Sequence, residues 1–489
     1  MRNCLIALIS LSFVCGAQTK KVLDALLTTK EARSAHWGIH VVHLKTGKTI
    51  YQVNAEEHFT PASNTKLFTT ALALSRLGVE HRFRTTVRVS RKPGGDGVVN
   101  GDLRLVGGGD PTLSGRAYPY DKDAQPGDPL LAMEQIAGQV VRSGVREIRG
   151  DVIGDDRLYV FAPYPEGWTI NDSIWEYGAP VSALTFNDNA FTVSLIPALE
   201  PGQLALLSMK PGVIPLVLDN RVMTKDSGRA EVSFDRASGS RQLRINGSMP
   251  LRHAGVSQKL AVDDPALYAA TALLDALTRH GVRIHGSPAS LHRERADEAF
   301  DPAEGIEIAH RDSPPLVEVA RVVDKVSQNL HAELLLREVA RVKGGEATRE
   351  KGLDELKSFL TGIGVVEDAF HFEDGSGLSR RTLVTPIAVT TLLRHMSNGP
   401  IAAEWDSLLP VAGFDGTLER RFGQAPVAKA IHAKTGTLAT ANALGGSVRT
   451  KRGDVLVFSI IANNHTGASS NIRRVIDKIG LALLDWEGK

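Results

Sequence analysis

The sequence predicts an α+β protein in which one domain, an antiparallel sheet flanked by helices, is interrupted by a long, mainly β insertion. Three observations predict it. Residues from about Trp37 to Val53 read as two strands, and apolar residues then recur at helical spacing beyond Ser63. From about Phe83 to Gly286 the texture turns to short strands punctuated by Gly, Asp, Asn and Pro. After Pro315 helical periodicity returns, followed by strand-like runs and a closing helix. The two outer stretches must then meet in space.

The chain has 489 residues, enough for two to four domains at roughly 100–200 residues each. Hydrophobic residues make up 42% and charged residues 23%, which excludes the polar, highly charged composition of a disordered chain. Lys plus Arg number 57 against 55 Asp plus Glu, leaving +2. That balance argues against affinity built on phosphate neutralisation, so no nucleic-acid partner is expected.

Arg2, the apolar run Leu5–Val14 and the small residues Cys15-Gly16-Ala17 read as a signal peptide over residues 1–17. The run is too short for a bilayer, which needs about 20 residues. A lipoprotein signal at Cys15 is the alternative, although Val14 is branched where a small residue is usual. Both cysteines, Cys4 and Cys15, fall in this leader, so the mature chain has no disulfide and no thiolate metal site. No later stretch has the length and apolarity of a membrane helix. An exported, soluble protein follows.

Strands WGIHVVHL and KTIYQV flank a turn at Thr46-Gly47. Pro61–Lys66 opens a helix carrying Leu67, Phe68, Ala71 and Leu72, with Gly78 as its stop. Residues 18–82 and 306–489 form the main domain. Residues 83–194 and 261–305 form the inserted one, with one clear helix at Asp264–His280, and residues 195–260 form a smaller nested β domain. Helical patterns follow over Leu316–Val342, Glu350–Leu360 and Pro386–Met396. Strands at Ala441–Arg449 and Val455–Ala462 and a helix over Ser469–Trp486 close the chain.

Three short patterns could carry chemistry. Ser63 and Lys66, three apart at a helix start, share one face, so the amine can reach the hydroxyl. A serine is a weak nucleophile until a base takes its proton, and a lysine serves when burial and nearby cations lower its pKa. Ser63–Lys66 is the only Ser-x-x-Lys in the chain. Its bland reading is an N-cap serine beside an exposed lysine. Ser327 and Asn329 could relay a proton and hold a carbonyl, or Ser327 could simply cap a helix. The same Ser-x-Asn spacing recurs at Ser469-Ser470-Asn471, which resembles an N-cap. Lys434-Thr435-Gly436-Thr437 on a strand beside a cleft would offer a charge, two hydroxyls and a glycine that lets substrate backbone approach. The second Lys-Thr-Gly, at Lys45, is turn chemistry.

Ser-x-x-Lys, Ser-x-Asn and Lys-Thr-Gly in that order are the pattern of penicillin-recognising serine enzymes. At these elements the chain resembles the D-alanyl-D-alanine carboxypeptidase/endopeptidase family of penicillin-binding protein 4. It shares the phrases LVGGGDPTL, EDGSGLSR and AGFDGTLERRF and an insertion of some 200 residues between the first two motifs. The resemblance implies a penicillin-binding, serine β-lactamase-like transpeptidase fold and no cofactor or metal. It implies Ser63 as acylated nucleophile, Lys66 as base, Ser327 as proton shuttle and Asn329 as binder of the substrate amide. It implies Lys434, Thr435 and Thr437 around the terminal carboxylate, with the N–H groups of Ser63 and Thr437 as oxyanion hole. Gln328 replaces the family's Asp, and its side chain is expected to point away from the cleft. Asp155 and Arg380 match positions that pair the ammonium and carboxylate of a diaminopimelate side chain, although Asp156 competes for the first role and both residues could be ordinary salt bridges. Ala439 is apolar where relatives can be polar. The implied partners are peptidoglycan stem peptides and cross-bridges, with β-lactams as covalent inhibitors, in the periplasm.

A β-lactamase or esterase on the same scaffold is the nearest rival, and a non-cleaving binder of wall peptides the more distant one. His36, His40 and His43 do not make a metal site, because alternation sends His40 and His43 to opposite faces. Gly107–Gly109 lacks a phosphate loop's Lys, and Ser376 lacks the spacing of a nucleophile elbow. The stripe Ile472, Val475, Ile476, Ile479 and Leu483 is expected to pack on the sheet, with peripheral membrane contact as the lesser reading.

Overall fold

A computed structural model describes residues 18–237, 239–423 and 429–488. The leader expected over residues 1–17, with both cysteines, lies outside the described residues. The chain forms two compact units. One joins the residues up to Glu80 to Leu316–Gly345 and Arg349–Lys489, and the other is His81–Pro315 with Glu346–Thr348.

The first unit is built on a five-stranded sheet, antiparallel throughout, in the order Ile431–Leu438, Ala441–Arg449, Val455–Asn463, His36–His43, Thr49–Val53. The expected sheet is therefore present, and the N-terminal hairpin joins it by pairing with the last strand. Ile39, Val41, Leu444, Phe458 and Ile460 are fully buried and share a core with Ile472, Val475, Ile476, Ile479 and Leu483 of helix Ser469–Leu484. The stripe on that helix does pack on the sheet. The helix begins after Ala468 with no side-chain cap, so Ser469 is not the capping residue its spacing suggested.

Helix Thr65–Leu77 ends at Gly78, whose N–H donates to the Leu74 carbonyl at 3.1 Å. It packs against two helices that the sequence read as one. The run Leu316–Val342 breaks into Leu316–Lys325 and Asn329–Val339, because Ser327 takes a left-handed φ of +63°. Gln328, not Ser327, caps the second helix, its side-chain oxygen accepting from the Leu330 N–H at 2.8 Å. The side chain of the middle residue is thus committed to its own helix.

The second unit holds a mixed sheet in the order Pro288–Leu291, Val152–Asp155, Leu103–Val106, Arg84–Val89, Ile306–Asp312. Ile306–Asp312 runs antiparallel to Arg84–Val89, so residues 306–315 lie in this unit rather than in the domain where the sequence reading placed them. The stretch 195–260 carries a three-stranded sheet of Val217–Lys225, Gln242–Pro250 and Glu231–Asp235. Its Leu243, Ile245 and Met249 belong to the same apolar cluster as Val87 and Leu105. Asp264 caps helix Pro265–Arg279 by accepting from the Leu267 N–H at 2.9 Å. A second helix, Leu131–Arg142, escaped the sequence reading, although Ala132, Met133, Ile136, Ala137 and Val140 recur at helical spacing and are buried. Among the described residues no helix is long and apolar enough to cross a membrane.

Candidate active site

Ser63 lies in a short 3-10 turn, Ala62–Asn64, that runs straight into helix Thr65–Leu77. Ala62 is held at φ +48°, a conformation that costs energy for a residue with a Cβ and recurs at functional turns. One turn on, Lys66 is completely buried. Its Nζ is 2.9 Å from Ser63 Oγ, 2.6 Å from Asn329 Oδ1 and 2.6 Å from the Ser376 carbonyl oxygen. The two carbonyl oxygens can only accept, so each takes one N–H. A neutral amine has two N–H groups and one lone pair, and the lone pair is left for the Ser63 hydroxyl to donate into. Burial, and then the charge of Lys434, hold Lys66 well below the ordinary lysine range, against the pull of Asp374, Asp324 and Glu333.

Lys434 is also fully buried. Its Nζ donates to Ser327 Oγ at 2.9 Å and to the Thr435 carbonyl at 2.8 Å, and burial lowers its pKa as well. The three patterns are therefore brought together: Ser63 with Lys66, Asn329 with Lys66, Ser327 with Lys434. Asn64 ties the turn to the sheet. In the orientation that satisfies both neighbours, its amide donates to the Lys434 carbonyl at 2.8 Å and accepts from the Gly445 N–H at 3.1 Å.

Ile431–Leu438 is the outer strand of its sheet, so every second residue turns its backbone groups away from the sheet. The Ala433 N–H does so, donating to Pro410 O at 2.9 Å. By alternation the N–H groups of Thr435 and Thr437 leave the same edge. They border a pocket of about 250 Å³ that also includes Ser63, Ser327, Thr417, Arg421 and Arg473. Thr435 Oγ1 donates to Thr417 Oγ1 at 2.8 Å, and Asn442 Nδ2 donates to Thr437 Oγ1 at 3.2 Å.

Gly436 has a different use from the one expected. A Cβ there would come within 2.4 Å of the Pro61 carbonyl oxygen and 3.2 Å of the Ala62 Cβ. What approaches this glycine is the chain's own Ser63 turn, not substrate. Gly377 serves the same turn from the other side, where a Cβ would sit 1.9 Å from the Ala62 carbonyl oxygen.

Two parts of the site escaped the sequence reading. The EDGSGLSR loop delivers a backbone carbonyl, that of Ser376, whose own side chain had been set aside. Glu333 Oε1 fixes this loop by accepting from the Gly375 and Ser376 N–H groups, both at 2.9 Å. Asp374 accepts from the N–H groups of Gly377 and Ser379 and the Ser376 hydroxyl, at 3.1, 2.8 and 3.0 Å. Asp324, fully buried, lies among the lysine charges with Thr70 Oγ1 3.0 Å from its Oδ2 and no partner on Oδ1. Burial pushes its carboxyl up.

Asp155 and Arg380 are not part of the pocket lining. Asp155, in the second unit, is fully buried, and its two oxygens accept from Arg157 Nε at 2.9 Å and Nη2 at 2.7 Å. An ammonium at this carboxylate would have to displace that guanidinium. Asp156 is likewise buried, held by Ser182 and His292 at 2.8 and 2.9 Å. Arg380 is exposed, and its Nη1 donates to the Leu378 carbonyl at 3.1 Å.

A hydroxyl poised on a buried amine, with an open pocket beside it, suits attack on a carbonyl carbon. The family described as D-Ala-D-Ala carboxypeptidase 3 (S13) matches residues 19–482, and the chain belongs to it. A D-alanyl-D-alanine carboxypeptidase of Actinomadura sp. (strain R39) is 35% identical over 483 residues, covering 96% of this chain and 85% of that protein. DacB of Haemophilus influenzae, a D-alanyl-D-alanine carboxypeptidase, is 25% identical, covering 90% and 88%. The crystal structure of penicillin binding protein 4 from Haemophilus influenzae shares the fold at a TM-score of 0.81 and 22% identity, covering 94% of this chain and 99% of that one. The protein is an enzyme of the serine D-Ala-D-Ala carboxypeptidase type.

Proposed function

We propose that Ser63 attacks the carbonyl between the last two D-alanines of a peptidoglycan stem peptide. Its Oγ–C bond forms as the C–N bond breaks, terminal D-alanine leaves, and water then hydrolyses the acyl-enzyme. The observation that carries this reading is the Lys66 amine, fully buried and 2.9 Å from Ser63 Oγ, with its two other contacts made to oxygens that can only accept. Lys66 takes the Ser63 proton, and Ser327, hydrogen-bonded to Lys434, passes a proton to the departing nitrogen. Asn329 steadies Lys66 and meets the substrate amide. The N–H groups of Ser63 and Thr437 receive the oxyanion, an interaction for which one lost donor costs about 3–4 kcal/mol.

The same steps on a D-alanyl–diaminopimelate cross-bridge make an endopeptidase. β-Lactams acylate Ser63 and leave slowly. The enzyme is exported to the periplasm, where this substrate resides, and uses no metal or organic cofactor.

Labelled penicillin is expected to attach covalently to the wild-type protein and not to Ser63→Ala, and a pentapeptide-bearing muropeptide is expected to release D-alanine. Undiminished labelling of the alanine variant would remove Ser63 as nucleophile. Many turnovers of hydrolysed drug, with no D-alanine released, would move the function to β-lactam hydrolysis.

A further inference from the structure

The pocket leaves a charge to be accounted for. A peptide ending in D-alanine brings a carboxylate into it, yet Lys434, the lysine expected to meet that group, is fully buried and gives two of its three N–H groups to Ser327 Oγ and the Thr435 carbonyl. Thr435 and Thr437 offer hydroxyls without charge. The cations that line the pocket are Arg421 and Arg473. Arg421 is already neutralised: its Nε donates to Asp477 Oδ1 at 3.1 Å and its Nη2 to the same carboxylate. Arg473 is exposed and makes no ion pair or side-chain hydrogen bond among the described residues. It stands in the first turns of helix Ser469–Leu484. Arg421 braces that turn, its Nη2 reaching the Arg473 carbonyl at 3.5 Å while holding Asp477 one turn further on.

We infer that Arg473 is the residue that reads the free α-carboxylate of the leaving amino acid, with Arg421 as a positioning residue that fixes its helix turn. A guanidinium matches a carboxylate with two parallel N–H donors, a geometry that an ammonium lacks. Preference for a substrate with a free carboxyl end then rests on the closing helix, beside the hydroxyls of the Lys434 strand. The inference rests on the peptidase reading given above.

Two peptides ending in D-Ala-D-Ala, one with a free carboxylate and one with a C-terminal amide, test it with Arg473→Gln and Arg473→Lys. For the acid, Arg473→Gln is expected to lower kcat/KM about 10- to 100-fold, the scale of a charge-assisted hydrogen bond, mainly through KM. The amide should react within about twofold of wild type, and Arg473→Lys should recover part of the loss. An equal loss on both peptides, or no loss on the acid, overturns the assignment. Labelling of Ser63 by penicillin in the same preparations separates the two readings: a wild-type protein that neither labels nor cleaves fails as a peptidase, whereas one that does both but ignores Arg473 fails only here.

Discussion

Two buried polar clusters, one in each unit, treat their cations in opposite ways. In the second unit His292 Nδ1 is 2.9 Å from Asp156 and its Nε2 is 3.5 Å from Asp264. Burial alone would lower its pKa, but the hydrogen bonds and charges of the two carboxylates carry it up to about 10. In the first unit Lys66 and Lys434 are buried deeper, and Lys66 faces the charge of Lys434. The carboxylate both of them feel, Asp324, is itself pushed towards its neutral form. A buried cation hydrogen-bonded to carboxylates holds its proton and acts as a strut. One whose burial and neighbouring cation outweigh the acids around it gives its proton up and becomes a base.

The largest expected effect is at Lys66. Lys66→Ala should slow acylation by labelled penicillin about 10³-fold or more, whereas His292→Ala should leave the rate per folded molecule unchanged. Equal losses would erase the contrast. Next comes Ser327→Gly, which keeps the left-handed backbone and removes the hydroxyl. Acylation or D-alanine release should fall about 10²-fold while the fold gains about 1 kcal/mol from relieved strain, read by denaturant midpoint.

His292→Ala should cost about 2–3 kcal/mol, by leaving two carboxylates without their cation in a site only partly open to water. The pH dependence has a definite sign. The folded histidine keeps its proton up to about 10, against 6.5 as its ordinary value. Its stabilisation is therefore complete below pH 6.5 and is lost as pH rises towards 10, so wild type and His292→Ala should converge in stability at alkaline pH. The smallest effect is expected at Asp324→Asn. Removing a potential negative charge makes Lys66 easier to deprotonate, so the acidic limb of the acylation–pH profile should move to lower pH, by about one unit or less. A move to higher pH would reverse the assigned electrostatics.

Much of this was legible in the sequence. The Ser63–Lys66 spacing, the Asn329 and Lys434 positions and the bounds of strand Ala441–Arg449 all follow from periodicity and motif. What stayed hidden has physical reasons. The Ser376 contact is made by a backbone carbonyl, which no side chain advertises. Asp324 looks like any charge on an amphipathic helix until the fold shows which face is enclosed. The depth of Lys434 is invisible in a strand pattern, and the Asp155–Arg157 pair, two residues apart, looks incidental until both oxygens are seen to be engaged. Helix Leu131–Arg142 carried a readable pattern, but the surrounding glycines and prolines argued for strands.

The empty position at Gly436 sets a tolerance for the whole enzyme. With only a hydrogen between the strand and the Pro61 carbonyl, a methyl group there would pry the nucleophile's turn from the edge that faces it. Saturation of that codon should return the original residue alone, since no larger one leaves the gap its working width.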